Sequence, residues 1–243
     1  LAFLMIAGIF GTWPIAIFAE EAKENTVDVW DGSIANSFGG GSGTENDPYQ
    51  IYTGAELAYL ASSTNSGNAY SNVYFKLMND IDLNGIAWTP IGALTSAHFE
   101  GNFDGNFFSV QNVKINFTIT ESAAQGAGFF GNLKYATVQN LGIVGYNYNV
   151  VGGRTGGLCG VLHKSTVSNC FAIGELTFVT KMYPQGEGAG GLVGDMQEES
   201  TISNSYAVCN ISTKDKNTDF FIGGLVGLLC VNETKRITNC YAN

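Results

Sequence analysis

The chain repeats one short pattern five times along its 243 residues. In the clearest copy, Gly-Gly-Leu-Val-Gly at 190–194 is followed by Ile-Ser-Asn-Ser-Tyr-Ala at 202–207. Self-similarity at a period of 28 to 35 residues is typical of stacked repeat architectures. The other copies pair 156–160 with 167–172, 223–227 with 237–242, 128–131 with 138–143 and, most degraded, 99–101 with 110–115.

The composition of the repeat favours strands over helices. In 202–207 the residues divide between the two faces of an extended strand, with Ile202, Asn204 and Tyr206 on one face and the small residues Ser203, Ser205 and Ala207 on the other. The chain contains 32 glycines, which disfavour helix. We therefore predict an all-β parallel β-helix, right-handed by the default of parallel crossovers. A Gly-rich antiparallel β-sandwich is the alternative.

Two sets of repeat positions have predicted structural roles. The glycine at each end of each clear motif suits a tight corner with positive φ or close backbone approach, and the last of these glycines are Gly160, Gly194 and Gly227. The recurrent asparagine is expected at a corner, where each side-chain amide bonds the next coil. The aligned asparagines are Asn112, Asn140, Asn169, Asn204 and Asn239.

Four regions are expected along the chain. The apolar stretch 1–19 resembles a secretory signal peptide, although an uncleaved membrane anchor is the alternative. Residues 20–47 are polar and Gly-rich, as in a flexible linker. Residues 48–98 should form an N-terminal cap and the first coils, including a short capping helix over 54–65 that starts at a Thr-x-x-Glu capping box. Residues 99–243 should form the repeats, truncated at the C-terminus.

Charge and cysteine content narrow the class of protein. The net charge is −10 with a pI of about 4.5, which argues against nucleic acid as a partner. Five cysteines do not form a disulfide framework, since Cys170 and Cys240 share a repeat position but lie two coils apart. Cys159 aligns with valines and is expected in the core, and Cys209 and Cys230 have no evident partner.

Candidate ligand and catalytic groups each have a simpler structural explanation. Asp80–Gly85 matches the first half of a calcium loop, but Ile91 stands where the loop needs Glu, and a strand is favoured. Glu100 and Asp104 could form a carboxylate pair, yet a solvated turn explains them. His98 and His163 lie in different repeats without a zinc-peptidase motif. We expect no catalytic residue, metal or cofactor in this part of the protein.

Aromatic residues are the remaining candidates for binding. An exposed set could stack on sugars, although core packing is the more common role of aromatic side chains. The residues concerned are Trp88, Phe107, Phe108, Tyr146 and Tyr148.

The alternation of Gly-Gly-Leu-Val-Gly with Ile-Thr-Asn-Cys-Tyr-Ala resembles the GLUG motif, whose Leu position is held by Leu158, Leu192 and Leu225. The segment 49–105, with Trp-Thr-Pro-Ile-Gly at 88–92, resembles the module that precedes such repeats. The resemblance implies a secreted or cell-surface bacterial protein, often adhesin-like. Some members lie beside immunoglobulin-A-cleaving metallopeptidase domains, and the family brings no catalytic residues.

Together these features predict a non-catalytic extracellular β-solenoid that acts as a cell-surface adhesin or stalk. The alternative is an accessory N-terminal region of a larger secreted peptidase or carbohydrate-active enzyme. A third, less favoured, reading is a β-helix that itself cleaves polysaccharide. Expected partners are host glycans or extracellular proteins, without nucleic acid and without membrane insertion after signal cleavage.

Overall fold

The structure is a computed structural model that describes residues 27–93, 96–119, 125–180, 186–214, 220–229 and 234–243. The described residues form one helix, α1 (Gly54–Asn65), and 23 strands. In chain order the strands are β1 (Asp28–Val29), β2 (Tyr49–Ile51), β3 (Tyr74–Leu77), β4 (Ile81–Asp82), β5 (Asn102–Asp104), β6 (Ser109–Gln111), β7 (Lys114–Thr118), β8 (Gly126–Ala127), β9 (Phe130–Lys134), β10 (Thr137–Gln139), β11 (Gly142–Val151), β12 (Arg154–Gly156), β13 (Cys159–His163), β14 (Thr166–Ser168), β15 (Phe171–Val179), β16 (Gly188–Gly190), β17 (Val193–Met196), β18 (Thr201–Ser203), β19 (Tyr206–Thr213), β20 (Phe221–Gly223), β21 (Val226–Leu229), β22 (Arg236–Thr238) and β23 (Tyr241–Ala242).

These strands form four parallel sheets that run along the stack of coils. The long sheet has the order β1-β4-β6-β11-β15-β19-β23, with β7 also paired to β11, and the short sheet has the order β2-β3-β5-β10-β14-β18-β22. Two four-stranded sheets, here called glycine sheets 1 and 2, have the orders β8-β12-β16-β20 and β9-β13-β17-β21. Each of the four coils from β8 onward contributes one strand to every sheet. The predicted parallel β-helix is therefore confirmed.

The interior is one continuous apolar core. Inward side chains of successive coils lie above one another, as with Val138, Val167 and Ile202 in the short sheet, all fully buried. Parallel strands in register place such neighbours about 4.8 Å apart. Burying each aliphatic side chain stabilises the fold by about 1.5–3 kcal/mol.

Helix α1 begins at the predicted capping box. The Thr53 hydroxyl accepts from the Glu56 amide at 3.3 Å, and the Glu56 carboxylate accepts from the Thr53 amide at 3.1 Å. Leu57 and Leu60 are buried in the same core as the strands. The helix is not strictly N-terminal, because β1 and β2 precede it in the chain. It connects β2 to β3, two strands of the first coils.

The segment 27–47 differs from the predicted flexible linker. Strand β1 pairs with β4, and Trp30 is buried against the core. Around Gly40, the chain forms an antiparallel pairing with Gln50, through bonds of 2.8 and 2.9 Å. This hairpin covers the first edge of the short sheet, and a covered edge is protected from pairing with another chain. The expected signal peptide, 1–19, lies outside the described residues.

Candidate functional site

The final glycine of each motif fits where two sheets approach closely. A Cβ added to Gly194 would lie 2.4 Å from the Thr155 amide nitrogen of the preceding coil. Equivalent atoms at Gly160 and Gly227 would lie 2.3 and 2.6 Å from backbone atoms of Ala127 and Ala189. These glycines do not need positive φ. They allow glycine sheet 2 to pack against the backbone of glycine sheet 1.

The leucine of each motif anchors the turn between those sheets. Leu158 and Leu192 are fully buried, and Leu225 packs against the core while half-buried in the last coil. Each leucine follows a Gly-Gly pair and precedes a strand of glycine sheet 2. The motif residues therefore have a structural role, in which small residues bring two backbones together and a leucine fills the interior.

The recurrent asparagines occupy the corner between the short and long sheets. Asn140, Asn169, Asn204 and Asn239 all adopt φ between 48° and 54°, a left-handed conformation that asparagine tolerates well. The Asn169 amide donates to Asn140 at 3.0 Å, and the Asn239 amide to Asn204 at 3.1 Å. Between Asn169 and Asn204 the corner is held by backbone bonds, so the predicted side-chain ladder is interrupted there.

Asn112 belongs to a different column from the other four. Strand β5, not β6, pairs with β10, so Gly105 aligns with Asn140. Gln111 of β6 pairs with Val144, which places Asn112 directly after a strand of the long sheet. The Asn112 amide instead donates to Asp82 at 2.8 Å. The predicted alignment of Asn112 with the repeat asparagines is therefore wrong. The sequence misleads here because β5 and β6 both end in a polar turn, and only the register shows which of them continues the column.

The calcium-loop match is a strand, as favoured. Ile81 and Leu83 are buried, and the carboxylates of the adjacent Asp80 and Asp82 accept hydrogen bonds from protein donors. Asp80 accepts from the Ser109 amide and hydroxyl at 2.7 and 2.9 Å, and Asp82 accepts from the Asn84 amide at 2.7 Å. No group of three or more metal-binding side chains occurs among the described residues.

Glu100 and Asp104 take part in separate networks. Glu100 accepts from the Ser71 hydroxyl and lies 2.8 Å from the His98 imidazole. Burial alone would raise the pKa of Glu100, but these two hydrogen bonds outweigh it and hold the pKa below its ordinary value. The serine bonds to the carboxylate and not to the imidazole, so this arrangement does not activate Ser71 as a nucleophile.

The coil register brings the two histidines closer than their sequence positions indicate. His98 and His163 both line a shallow pocket of about 270 Å³ on the outer face of glycine sheet 2, with Lys134 between their coils. His163 also packs edge-on against Tyr135. The pocket joins two titratable rings without a third metal-ligand side chain among the described residues.

Most of the candidate aromatics are core residues. Trp88, Tyr146 and Tyr148 are buried, and Phe108 packs against the core. Phe107 is the exception, because 80% of its surface is exposed at a turn. The hydroxyl of Tyr148 donates to the Gly157 carbonyl at 3.0 Å, which satisfies its buried polar atom. The sugar-stacking alternative is therefore not assembled on the surface, and four of the five residues have the favoured role in core packing.

The cysteines of the described residues are free, as the spacing predicted. Cys159 and Cys170 are fully enclosed, and burial raises the pKa of the Cys170 thiol to about 12. Cys170 and Cys240 lie in one column, with Ser205 between them. Cys230 lies outside the described residues.

A buried ion pair was not predicted from the sequence. Arg154 Nε lies 3.0 Å from Asp195 Oδ2, with the two side chains 7% and 0% exposed. The pair links consecutive coils, and Gln197 donates to the same carboxylate at 2.7 Å. The sequence contained an indication of this ion pair, because the repeat alignment places the charged Asp195 at a position held by Val161 and Leu228 in neighbouring coils.

A polar groove lies on the outer face of the short sheet. Its floor crosses β3, β5 and β10, and its wall is the tip of the N-terminal hairpin. The groove has a volume of about 520 Å³, within the range of small-ligand sites. The lining side chains are Glu45, Asn46, Pro48, Tyr74, Lys76, Asn102, Asp104, Thr137 and Gln139, above the inward rings of Phe75 and Phe103.

The comparisons with known proteins agree with the fold. No protein-family model matches the sequence, so the likeness to the GLUG motif remains a prediction. A crystal structure described as "a putative immunoglobulin A1 protease" from Bacteroides ovatus has a TM-score of 0.54 over 84% of this chain and 68% of that one. At 22% identity, this likeness shows the fold alone.

Two sequence relatives each match part of the chain. The chain is 30% identical over 194 residues to Halomucin of Haloquadratum walsbyi, covering 75% of this chain and 2% of that protein. It is 31% identical over 164 residues to a "Putative Gly-rich membrane protein" of Evansella cellulosilytica, covering 62% and 18%. The chain thus spans a small part of each relative's length. Within the described residues, no helix has the length and apolarity needed to cross a bilayer.

Proposed function

We propose that this chain is a non-catalytic segment of an extracellular β-solenoid that serves as a cell-surface stalk with an adhesive face. The observation that carries the proposal is the parallel stacking of strands in the long and short sheets, each path seven strands deep, with a register shift between β11 and β15 at Val144 and Tyr146. Stacked coils of this kind give an extended body with long side faces. The named relatives, one a mucin and one a membrane protein, support a surface location.

The polar networks support a structural rather than a catalytic role. Asp80, Asp82 and Asp104 each accept hydrogen bonds from backbone amides or from corner asparagines. Carboxylates occupied in this way hold turns and coils together and are less available as acids or bases. The Ser71, Glu100 and His98 chain also lacks the order that activates a serine.

The alternative proposal, an accessory region of a larger secreted peptidase or carbohydrate-active enzyme, rests on the fold likeness to the Bacteroides ovatus structure. The two proposals make different predictions for the intact protein. A stalk requires only surface display, whereas an accessory region requires a catalytic domain on the same polypeptide.

Immunolabelling of intact producing cells tests the proposal. An antibody raised against residues 27–243 should label unpermeabilised cells, and external protease should remove the signal while a cytoplasmic marker stays protected. Labelling that appears only after permeabilisation would contradict a surface stalk. A peptidase or glycosidase activity that co-purifies with the intact polypeptide would favour the accessory role.

A further inference from the structure

We infer that the short-sheet groove binds an uncharged oligosaccharide, which deepens the proposed adhesive function by naming its ligand class. The groove floor is made from outward side chains of three strands in strict register. Tyr74 lies beside Asn102, which lies beside Thr137, and Lys76 lies beside Asp104, which lies beside Gln139. Neighbours in each row are about 4.8 Å apart, so the floor is a regular grid of polar groups.

Most of these groups have no hydrogen-bond partner among the described residues. The side chains of Lys76, Asn102 and Gln139 are half-buried and make no side-chain hydrogen bond to any described residue. Half-buried donors and acceptors without partners favour a ligand that supplies many hydrogen bonds of both kinds. Sugar hydroxyls do so, since each can both donate and accept.

The groove also offers an aromatic surface. Tyr74 takes part in no ring–ring contact with another described residue, whereas the inward Phe75 below it packs against several rings. A half-buried tyrosine ring beside amide groups provides an apolar contact with a polar tip. Tyr74 can therefore pack against the face of a sugar ring that Asn102 and Thr137 hydrogen-bond.

Backbone pairing disfavours an extended peptide in the same place. Strand β5 is paired on both sides, with β3 and with β10, so its amides and carbonyls are already used. Peptides that bind by strand addition need a free sheet edge. The first edge of the short sheet is covered by the hairpin around Gly40 and Gln50.

Charge favours a neutral ligand over an acidic one. Glu45 and Asp104 face one lysine, Lys76, in the groove, and the whole chain carries a net charge of −10. Asp104 is held by the Asn106 amide at 2.8 Å and the Asn140 side chain at 2.9 Å, which fixes it as an acceptor. A polyanionic glycan would meet net repulsion on approach.

The test is titration calorimetry of the whole chain with three probes: the tetrasaccharides of glucose and of N-acetylglucosamine, and tetragalacturonate. We expect saturable binding of a neutral tetrasaccharide, weakened about three- to tenfold by Gln139→Ala and further by Tyr74→Ala. Ser203→Ala is the matched control, because Ser203 lies in the Gln139 column two coils beyond the groove. Tyr74→Phe keeps the ring and should retain most of the affinity.

Three results would overturn the inference. They are no saturable binding of either neutral probe, neutral binding that Gln139→Ala leaves unchanged, and binding of tetragalacturonate alone with a strong salt dependence. Thermal melts of each variant separate a lost contact from a lost fold. A failure here leaves cell-surface labelling unaffected, so it can be distinguished from failure of the stalk proposal.

Discussion

The backbone amide of Cys170 donates a hydrogen bond to the hydroxyl of Ser205 in the next coil, at 3.1 Å. Ser205 in turn donates to the Ser203 carbonyl at 2.7 Å, and both Cys170 and Ser205 are buried. The same device occurs at the other corner of the short sheet, where Ser165 accepts from the Ala136 amide at 3.0 Å. A serine after the left-handed corners at Lys164 and Asn204 thus joins consecutive coils.

Replacement of Ser205 tests this corner bond. Ser205→Ala leaves the buried Cys170 amide without its acceptor, so we expect a loss of about 1–3 kcal/mol in the free energy of unfolding. Ser203→Ala, on the outer face of the same coil, should change stability by less than about 0.5 kcal/mol. Urea unfolding followed by circular dichroism measures both. Equal effects of the two variants would contradict the assigned bond.

Gly194 tests the close approach of the glycine sheets. Gly194→Ala should destabilise by about 3 kcal/mol or prevent folding, because the new Cβ meets the backbone at Thr155 and cannot be relieved by a side-chain rotation. Gly67→Ala is the control, since Gly67 has a φ of 105° but open space around it. Its cost should be limited to backbone strain of about 1–2 kcal/mol. A Gly194→Ala protein as stable as Gly67→Ala would exclude tight backbone packing.

Thiol reactivity reports the enclosure of the core. Burial raises the pKa of Cys159 far above its ordinary value and that of Cys170 to about 12, so neither forms the reactive thiolate near neutral pH. We expect iodoacetamide to leave both unmodified in the folded protein and to modify both in urea. Cys240, which is half-buried in the last coil, should react first among the described thiols. Peptide mass spectrometry locates the label, and rapid native modification of Cys159 would contradict the packed core.

The carboxylate of Glu100 should make the free energy of unfolding depend on pH. Its pKa is held below the ordinary value of 4.5, so its contribution is present above that value and is lost as the pH falls through the lower folded-state pKa. The stability difference between the native protein and Glu100→Gln should shrink between about pH 5 and pH 3. Chemical unfolding at a series of pH values measures the difference. A difference that stays constant over this range would show that the carboxylate gains nothing from Ser71 and His98.

The sequence periodicity was sufficient for the fold class and for most repeat positions. Gly160, Gly194 and Gly227, and the leucines two residues before them, could be assigned because their roles recur in each coil. Asn112 could not, since a short pattern of valine, glutamine and asparagine ends a strand in either of two sheets. Only the observed pairing of β5 with β10 shows that Asn112 ends a strand of the long sheet and not of the short sheet.

The groove and the N-terminal hairpin could not be predicted from the sequence pattern, for a physical reason in each case. The floor residues Tyr74, Asn102 and Thr137 come from three different coils, and only the register places them side by side. The Gly-rich stretch around Gly40 has the composition of a linker, yet it folds against Gln50 through backbone bonds that composition does not reveal. Buried aromatics such as Tyr148 were ambiguous because alternation alone does not distinguish core from surface.

The most direct test of the account measures binding and cleavage together. The whole chain is incubated with neutral polysaccharides, and retained protein and newly formed reducing or unsaturated sugar ends are quantified over time. We predict saturable binding without new ends beyond a protein-free control. Sugar ends that accumulate in proportion to protein concentration and time would contradict a non-catalytic adhesive solenoid and establish the β-helix itself as a polysaccharide-cleaving enzyme.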